Sequence, residues 1–342
     1  MITSKINLLV TFKLDEQSQA QIHQCADQIA MTVLPVKSAE EIPAQQWAEV
    51  EVLFTQGVLP DRDAAPNLKW VQLRYVGMDR YLDHFLFHDP DVIITNMRGA
   101  ITSQVAEFVV MTILAFGRKL PEIISLKKGK RWLTNKEKWE NFIPQELRNS
   151  TVGIIGYGAI GREVARLLRP YQATVLAVKK DVLHPEDKGY TREGMGDPLG
   201  EFFERLYPIE ALHSVLEESD FVVMALPLTE STHHLMNAAA FEAMNPSAYL
   251  INVGRGGLID EEALIHALQE SKIAGAALDV FSEEPLPEDS LLWEMPNVII
   301  SPHISFISRN FNEDTLLLFL DNLNRFLADL PLHNSVDLMK GY

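Results

Sequence analysis

Apolar and polar positions along the chain fall into two alternating series. From Ile6 to Thr95, strand-like runs at Ile6 to Phe12, Val50 to Phe54, Trp70 to Leu73 and Asp91 to Thr95 are separated by polar stretches of helical character. That alternation predicts a small α/β unit. Ser103 to Arg118 is a long, mostly apolar helical run suited to joining two units, and Lys119 to Arg148 reads as irregular and charged. A second series follows. Strands are expected at Val152 to Ile155, Thr174 to Val178, Phe221 to Ala225, Ala248 to Asn252, Gly275 to Val280 and Asn297 to Ser301, with helical patterns such as Asp260 to Gln269 between them. This order predicts a doubly wound parallel sheet. Leu183 to Pro208, rich in Gly, Pro and charge, is longer than a βα connection requires and reads as a surface insertion. Asp314 to Leu330 is expected to carry the chain back to the first unit.

The junction at Asn149 to Gly161 adds chemistry to this pattern. An apolar run opens into Gly156-Tyr157-Gly158-Ala159-Ile160-Gly161, and Val164, Ala165, Leu167 and Leu168 then recur at helical spacing until Pro170. A strand, a tight turn and a helix start in that order suit a dinucleotide, although a glycine-rich turn taken alone also arises for purely steric reasons. The first glycine permits the turn, the second lets backbone approach a pyrophosphate, and the third packs helix on strand. The expected fold class is therefore α/β with two doubly wound parallel-sheet domains. A Rossmann-like cofactor domain, residues 103–305 with an insertion near 183–208, is set into a flavodoxin-like substrate domain, residues 1–102 and 306–342.

Composition narrows the function classes. With 342 residues, 47% of them hydrophobic, the chain is too long for one ordinary core, which agrees with two domains. Met1 to Phe12 is too short an apolar run for a signal peptide, and the longest apolar stretch, Phe108 to Phe116, falls below spanning length. A soluble protein without membrane contact is expected. Cys25 is the single cysteine, which points to a reducing cytoplasm and a structural role. A net charge of -17 disfavours nucleic acid and repels anions at long range, so any anion site must be locally basic. Lys127 to Trp132 is the basic exception and reads as an exposed helix end or an oligomer arm, with a polyanion site as the alternative.

Open α/β sheets bind ligands beyond the carboxyl ends of their strands, and Arg255, Asp279, Glu284 and His303 all fall there. Arg255 lies between glycines, where a planar guanidinium suits a carboxylate, although a surface arginine at a helix start has the same surroundings. Glu284 precedes Pro285 on a strand-end turn. His303, in Ser301-Pro-His-Ile-Ser305, suits proton transfer near neutral pH; taken alone it fits a structural histidine better.

The succession of the glycine turn, Gly254-Arg-Gly-Gly257, Asp279-Val-Phe-x-x-Glu-Pro-Leu-Pro287 and Pro302-His-Ile304 resembles the D-isomer-specific 2-hydroxyacid dehydrogenase family, and the likeness runs through most of the chain. Ala225-Leu-Pro-Leu-Thr229 is similar to its cofactor-side loop, and Gly99 to Glu107 to the start of its interdomain helix. The resemblance implies that Arg255 binds the substrate carboxylate and polarises the carbonyl, that His303 donates a proton, and that Glu284 holds His303. It also implies that Asp279 meets the nicotinamide carboxamide, with Leu226, Pro227, Thr232, Val253, Gly254 and His303 along the cofactor, and that the backbone of Tyr75, Val76 and Gly77 holds the carboxylate. A carbonyl accepting hydride develops negative charge, which calls for a cation beside it and a proton donor behind it, and a carboxylate next to His303 favours the imidazolium form. No metal ion is expected.

An acid at the end of the second strand of a dinucleotide sheet accepts the adenosine ribose hydroxyl. Here Lys179 and Lys180 stand at that point, which favours NADP(H), while Asp181 taking the acid's place leaves NAD(H) open. The expected activity is reduction of a small 2-oxo acid, of the glyoxylate or hydroxypyruvate kind, to the D-2-hydroxy acid by a cytoplasmic homodimer. Phe306 departs from the small residue or tryptophan common after the family's histidine, which bears on substrate size. A phosphoglycerate-type dehydrogenase and a dinucleotide-gated, corepressor-like binding protein are the rival readings.

Overall fold

Strands covered by helices on both faces read as continuous apolar runs, and nearly every strand of this protein is of that kind. The structure is a computed structural model and describes residues 5–25 and 28–336. It divides into two compact units, Met1–Ile101 with Ser308–Tyr342, and Thr102–Ile307.

In the first unit β1 (Ile6–Val10), α1 (Glu16–Cys25), β2 (Ile29–Val33), α2 (Ala44–Glu49), β3 (Val52–Thr55), β4 (Trp70–Leu73) and β5 (Ile93–Thr95) form a parallel sheet of order β2-β1-β3-β4-β5. The expectation of four strands here missed β2. It is an edge strand, only partly buried beyond Ile29.

In the second unit the elements are α3 (Thr102–Gly117), α4 (Leu120–Lys128), α5 (Asn135–Asn141), β6 (Thr151–Ile155), α6 (Ala159–Leu168), β7 (Thr174–Val178), β8 (Arg205–Tyr207), α7 (Leu212–Glu218), β9 (Phe221–Met224), α8 (Ala238–Ala243), β10 (Tyr249–Asn252), α9 (Glu261–Gln269), β11 (Gly275–Leu278) and β12 (Val298–Ile300). The sheet is parallel, in the order β12-β11-β10-β9-β6-β7-β8. Its chain order reverses between β6 and β9, the switch point at which such sheets bind ligands. One face buries Val105, Val109 and Ile113 of α3 with Val164 and Leu168 of α6, and the other buries Leu212 and Val215 of α7 with Leu264 and Leu268 of α9. The segment 119–148, expected to be irregular, contains α4 and α5. A capping box between Thr134 and Glu137 starts α5.

The last helix, α10 (Phe311–Leu327), belongs to the first unit. Phe319 stacks on Phe54 at 4.1 Å between centroids, and buried Asn322 donates to Gln72 Oε1 at 3.0 Å. Cys25 closes α1 against α10, its thiol donating to Asn324 Oδ1 at 2.9 Å, and burial pushes that thiol's pKa up.

Candidate active site

At the carboxyl edge of the second sheet, loops after neighbouring strands lie against one another, and glycines make the closeness possible. Gly156, at φ +107°, follows β6, and a Cβ on it would stand 2.7 Å from the Ala225 carbonyl after β9. A Cβ on Gly254, after β10, would stand 2.8 Å from the Leu226 carbonyl oxygen, and one on Gly256 would overlap the Phe281 carbonyl after β11 at 1.9 Å. Gly161 packs α6 on β6, where a Cβ would meet the Gly156 carbonyl oxygen at 2.4 Å. Gly158 differs from all of these: a Cβ there meets nothing within 4 Å. It opens α6 with no side-chain cap, so the amides of Ala159 and Ile160 begin the helix beside open space. This is the arrangement that suits a pyrophosphate, and the residues present fit a dinucleotide. Tyr157 turns its side chain inward, where its hydroxyl donates to Asp197 Oδ2 at 2.7 Å and burial pushes the phenol's pKa up.

The other residues expected along the dinucleotide shape the same edge. Leu226 and Pro227 form a loop closed by Thr232, whose hydroxyl donates to the Pro227 carbonyl at 2.8 Å and accepts from the Thr229 amide at 2.8 Å. Val253 continues β10, its amide donating to the Met224 carbonyl at 3.1 Å.

Arg255 is half-buried in extended backbone, and its Nη1 donates to the Gly254 carbonyl at 2.7 Å. The loop that carries it is held by Asn252, a residue to which sequence reasoning assigned no role. Fully buried at the end of β10, Asn252 accepts from the Gly254 amide at 3.0 Å and donates to the Arg255 carbonyl at 2.9 Å. An asparagine at a strand end two residues before a glycine is a turn signal legible in the sequence.

His303 sits in the left-handed region, at φ +52°, after β12, and its Nδ1 is 2.8 Å from Glu284 Oε2. Glu284 Oε1 accepts from the Phe281 amide at 3.1 Å, so one carboxylate fixes both its own turn and the imidazole. Phe306 meets the ring edge-on at 5.8 Å between centroids. Asp279 is fully buried, and both of its oxygens serve the histidine loop. They accept from Ser301 Oγ at 2.6 Å and from the amides of Ile304 at 2.9 Å and Ser305 at 3.0 Å. With Nδ1 on Glu284, Nε2 is the ring nitrogen left to exchange a proton with a ligand.

At the β7 end, Lys179 Nζ donates to the carbonyls of His184 and Glu186, while Lys180 is exposed and Asp181 pairs with His184 at 2.8 Å. In the first unit, Tyr75, Val76 and Gly77 follow β4 in a loop held by the Met97 amide on the Tyr75 carbonyl at 3.0 Å and by Asn96 Nδ2 on the Val76 carbonyl at 3.3 Å. Among the described residues the Val76 and Gly77 amides have no acceptor.

A cavity of about 450 Å³ between the end of α3, residues 145–148 and residues 170–172 contains none of these groups. No group of three or more His, Cys, Asp or Glu among the described residues is placed to hold a metal ion. No helix among them is long and apolar enough to cross a membrane.

The chain is similar to known proteins over most of its length. The sequence model of the D-isomer specific 2-hydroxyacid dehydrogenase NAD binding domain matches residues 110–305. Glyoxylate reductase of Thermofilum pendens is 36% identical over 281 residues, covering 82% of this chain and 74% of its own. Glyoxylate/hydroxypyruvate reductase B of Pectobacterium carotovorum is 31% identical over 336 residues, covering 97% and 98%. A crystal structure of the D-isomer specific 2-hydroxyacid dehydrogenase from Xanthobacter autotrophicus, in complex with NADPH and MES, superposes with a TM-score of 0.80 at 27% identity and covers 99% of this chain and all of that one. With a family model that covers more than half of the chain, the protein belongs to the D-isomer specific 2-hydroxyacid dehydrogenases, a family of oxidoreductases.

Proposed function

We propose that this enzyme reduces a small 2-oxo acid, of the glyoxylate or hydroxypyruvate kind, to the D-2-hydroxy acid with NADPH. The observation that carries this reading is the His303 and Glu284 pair at 2.8 Å, with the loop of Glu284 packed against the one that bears Arg255. The dinucleotide, when bound, supplies the hydride. Arg255 binds the substrate carboxylate and stabilises the charge that grows on the carbonyl oxygen, and His303 delivers a proton to that oxygen from Nε2. Glu284 keeps the imidazole oriented through its contact with Nδ1. Asp279 is a positioning residue in this scheme through the loop that it anchors, and the free amides of Val76 and Gly77 suit a carboxylate.

The choice of NADPH rests on Lys180, exposed at the end of β7, and agrees with the nucleotide bound in the Xanthobacter enzyme. The names of the Thermofilum and Pectobacterium relatives support the substrate class. A cytoplasmic homodimer completes the proposal. Ile123 and Ile124 of α4, Trp132, Trp139 and Ile143 are large apolar side chains left exposed, Trp132 by 89%, and a second copy of the chain is the partner that would cover them. NADPH and NADH oxidation measured against glyoxylate, hydroxypyruvate, pyruvate and phenylpyruvate tests the activity, with light scattering for the dimer. Reduction of none of the four acids with either nucleotide removes the reading.

A further inference from the structure

The glycine turn after β6 is supported unequally on its two sides. Gly156 packs on the Ala225 carbonyl, and the amides of Gly156 and Tyr157 donate to the Val178 carbonyl at 3.1 and 3.0 Å, whereas a Cβ on Gly158 would meet nothing within 4 Å. The middle of the turn is held by a side chain instead. Tyr157 is fully buried, its ring edge-on to Phe203 at 5.2 Å between centroids and 4.8 Å from the guanidinium carbon of Arg162. Its hydroxyl donates to Asp197 Oδ2 at 2.7 Å. Burial, then the Asp197 carboxylate, pushes the phenol's pKa up, so the hydroxyl stays a donor.

Asp197 gathers the long segment between β7 and β8 at that hydroxyl. Its Oδ1 accepts from the amides of Gly200 and Glu201, and its Oδ2 accepts from the Phe202 amide as well as from Tyr157. The same segment is stitched to the opening turns of α6. Arg162 donates to the carbonyls of Asp197 and Pro185, and Glu163, held by Arg166 at 2.8 and 2.6 Å, accepts from the Gly196 amide. All of these residues belong to the second unit. Arg162, Glu163 and Asp197 are at most 2% exposed, and charges so buried carry a desolvation cost. Here they converge on a turn whose helix-start amides stand beside open space.

We infer that residues 185–203 form a clasp on the phosphate-binding turn, in which Asp197 and Tyr157 are positioning residues that preorganise the backbone of residues 157–160 for the diphosphate of a dinucleotide. With the clasp closed, the turn is ordered before the ligand arrives; without it, binding must supply that ordering. The inference rests on the diphosphate lying at Gly158, and it concerns the part of the ligand that NADPH and NADH share. Tyr157→Phe removes the hydroxyl and keeps the ring, and Asp197→Asn keeps the size and removes the charge. These two variants, their double and the wild type are titrated with NADPH, NADH and adenosine 2′-monophosphate, which has no diphosphate. No 2-oxo acid is present, and thermal unfolding is recorded on each protein.

Tyr157→Phe is expected to weaken NADPH and NADH by the same factor, about three- to tenfold, the scale of one net hydrogen bond, and to leave adenosine 2′-monophosphate binding unchanged. The double variant should lose no more than Asp197→Asn alone, because the hydroxyl acts through that carboxylate. Should Asp197→Asn not fold, the ligand pattern of Tyr157→Phe decides. A lower Tm with dinucleotide affinity unchanged, or an equal loss of all three ligands, would make the cluster a support of the fold and overturn the clasp. Gly158→Ala separates the clasp from its premise. If that variant loses NADPH while Tyr157→Phe does not, the clasp alone fails; if it binds NADPH normally, the diphosphate lies elsewhere and both fail.

Discussion

The carboxyl edge of the second sheet is built in two different ways. At its centre, over β6, β9, β10, β11 and β12, short loops nest backbone against backbone: Gly156 on Ala225, Gly254 on Leu226, Gly256 on Phe281, and the His303 amide on the Asp279 carbonyl at 2.9 Å. At the β7 and β8 flank, one long segment is folded around buried charges. Arg162, only 2% exposed, donates to the carbonyls of Pro185 and Asp197, and Glu163 accepts from the Gly196 amide at 2.6 Å. Asp197 accepts from the amides of Gly200, Glu201 and Phe202 at 3.1, 2.9 and 2.9 Å. The centre is set by van der Waals contact and tolerates almost no added atom; the flank is set by side-chain hydrogen bonds and has room to vary. Groups that must meet a reacting atom within tenths of an ångström belong on the first kind of scaffold, and a group that only recognises an exposed phosphate can stand on the second.

The largest effects should come from the centre. His303→Ala should lower kcat/KM for 2-oxo acid reduction by about 100- to 10,000-fold, and Arg255→Ala by about 100- to 1,000-fold, with NADPH affinity close to wild type. Glu284→Gln should lose less, about 10- to 100-fold, since the amide can still orient the ring but no longer carries charge. Steady-state kinetics with fluorescence titration of NADPH checks all three. Loss of nucleotide affinity in step with activity would mean that these residues hold the fold of the edge instead of doing chemistry.

The three glycines of the turn test whether the centre is as tight as its contacts imply. Gly156→Ala meets both a positive φ and the Ala225 carbonyl, and Gly161→Ala meets the Gly156 carbonyl, so each should lower stability by about 1–3 kcal/mol. Gly158→Ala adds a methyl to open space and should leave Tm near the wild-type value while weakening NADPH binding, by about tenfold or more. Thermal unfolding alongside nucleotide titration separates the two behaviours. A Gly158→Ala protein that binds NADPH normally would show that the open space is not where the pyrophosphate lies.

How much of this was legible in the sequence follows the same division. At the centre each turn is shaped by residues close together in the chain, as in Gly156 to Gly161 or Asn252 to Arg255, so spacing betrays the turn even though the turns then nest on partners far along the chain. The flank is different. Arg162 finds its partners at Pro185, Asp187 and Asp197, and no local pattern links them. Leu183 to Pro208 accordingly reads as a surface insertion, whereas the folded segment buries Asp197 and ends as β8, an edge strand of three residues with Arg205 exposed. The helices α4 and α5 were hidden by charge, although the Thr134 and Glu137 box was there to be read. Asp279 was expected at the nicotinamide, and sequence gave no hint that three donors of the histidine loop converge on it.

The smallest predicted effect lies at the flank, where sequence presents two lysines as equals and the fold separates them. Lys179 is half-buried with its ammonium on the carbonyls of His184 and Glu186, and burial, then the charge of Arg162, lowers its pKa. It ties the long segment to β7. Lys180 next to it is exposed and has no partner among the described residues, so its charge is available to a 2′-phosphate. Lys180→Ala should therefore weaken NADPH by about tenfold once screening by solvent and salt is allowed for, and leave NADH unchanged. Lys179→Met should weaken both nucleotides modestly and lower Tm by about 2 °C, because it loosens the segment and not the phosphate contact. Titration of each variant with both nucleotides, repeated at low and high salt, makes the comparison, since a true phosphate contact fades with ionic strength. If Lys179→Met alone loses NADPH selectively, the ammonium leaves its carbonyls for the phosphate, and the flank rearranges on binding where the centre does not.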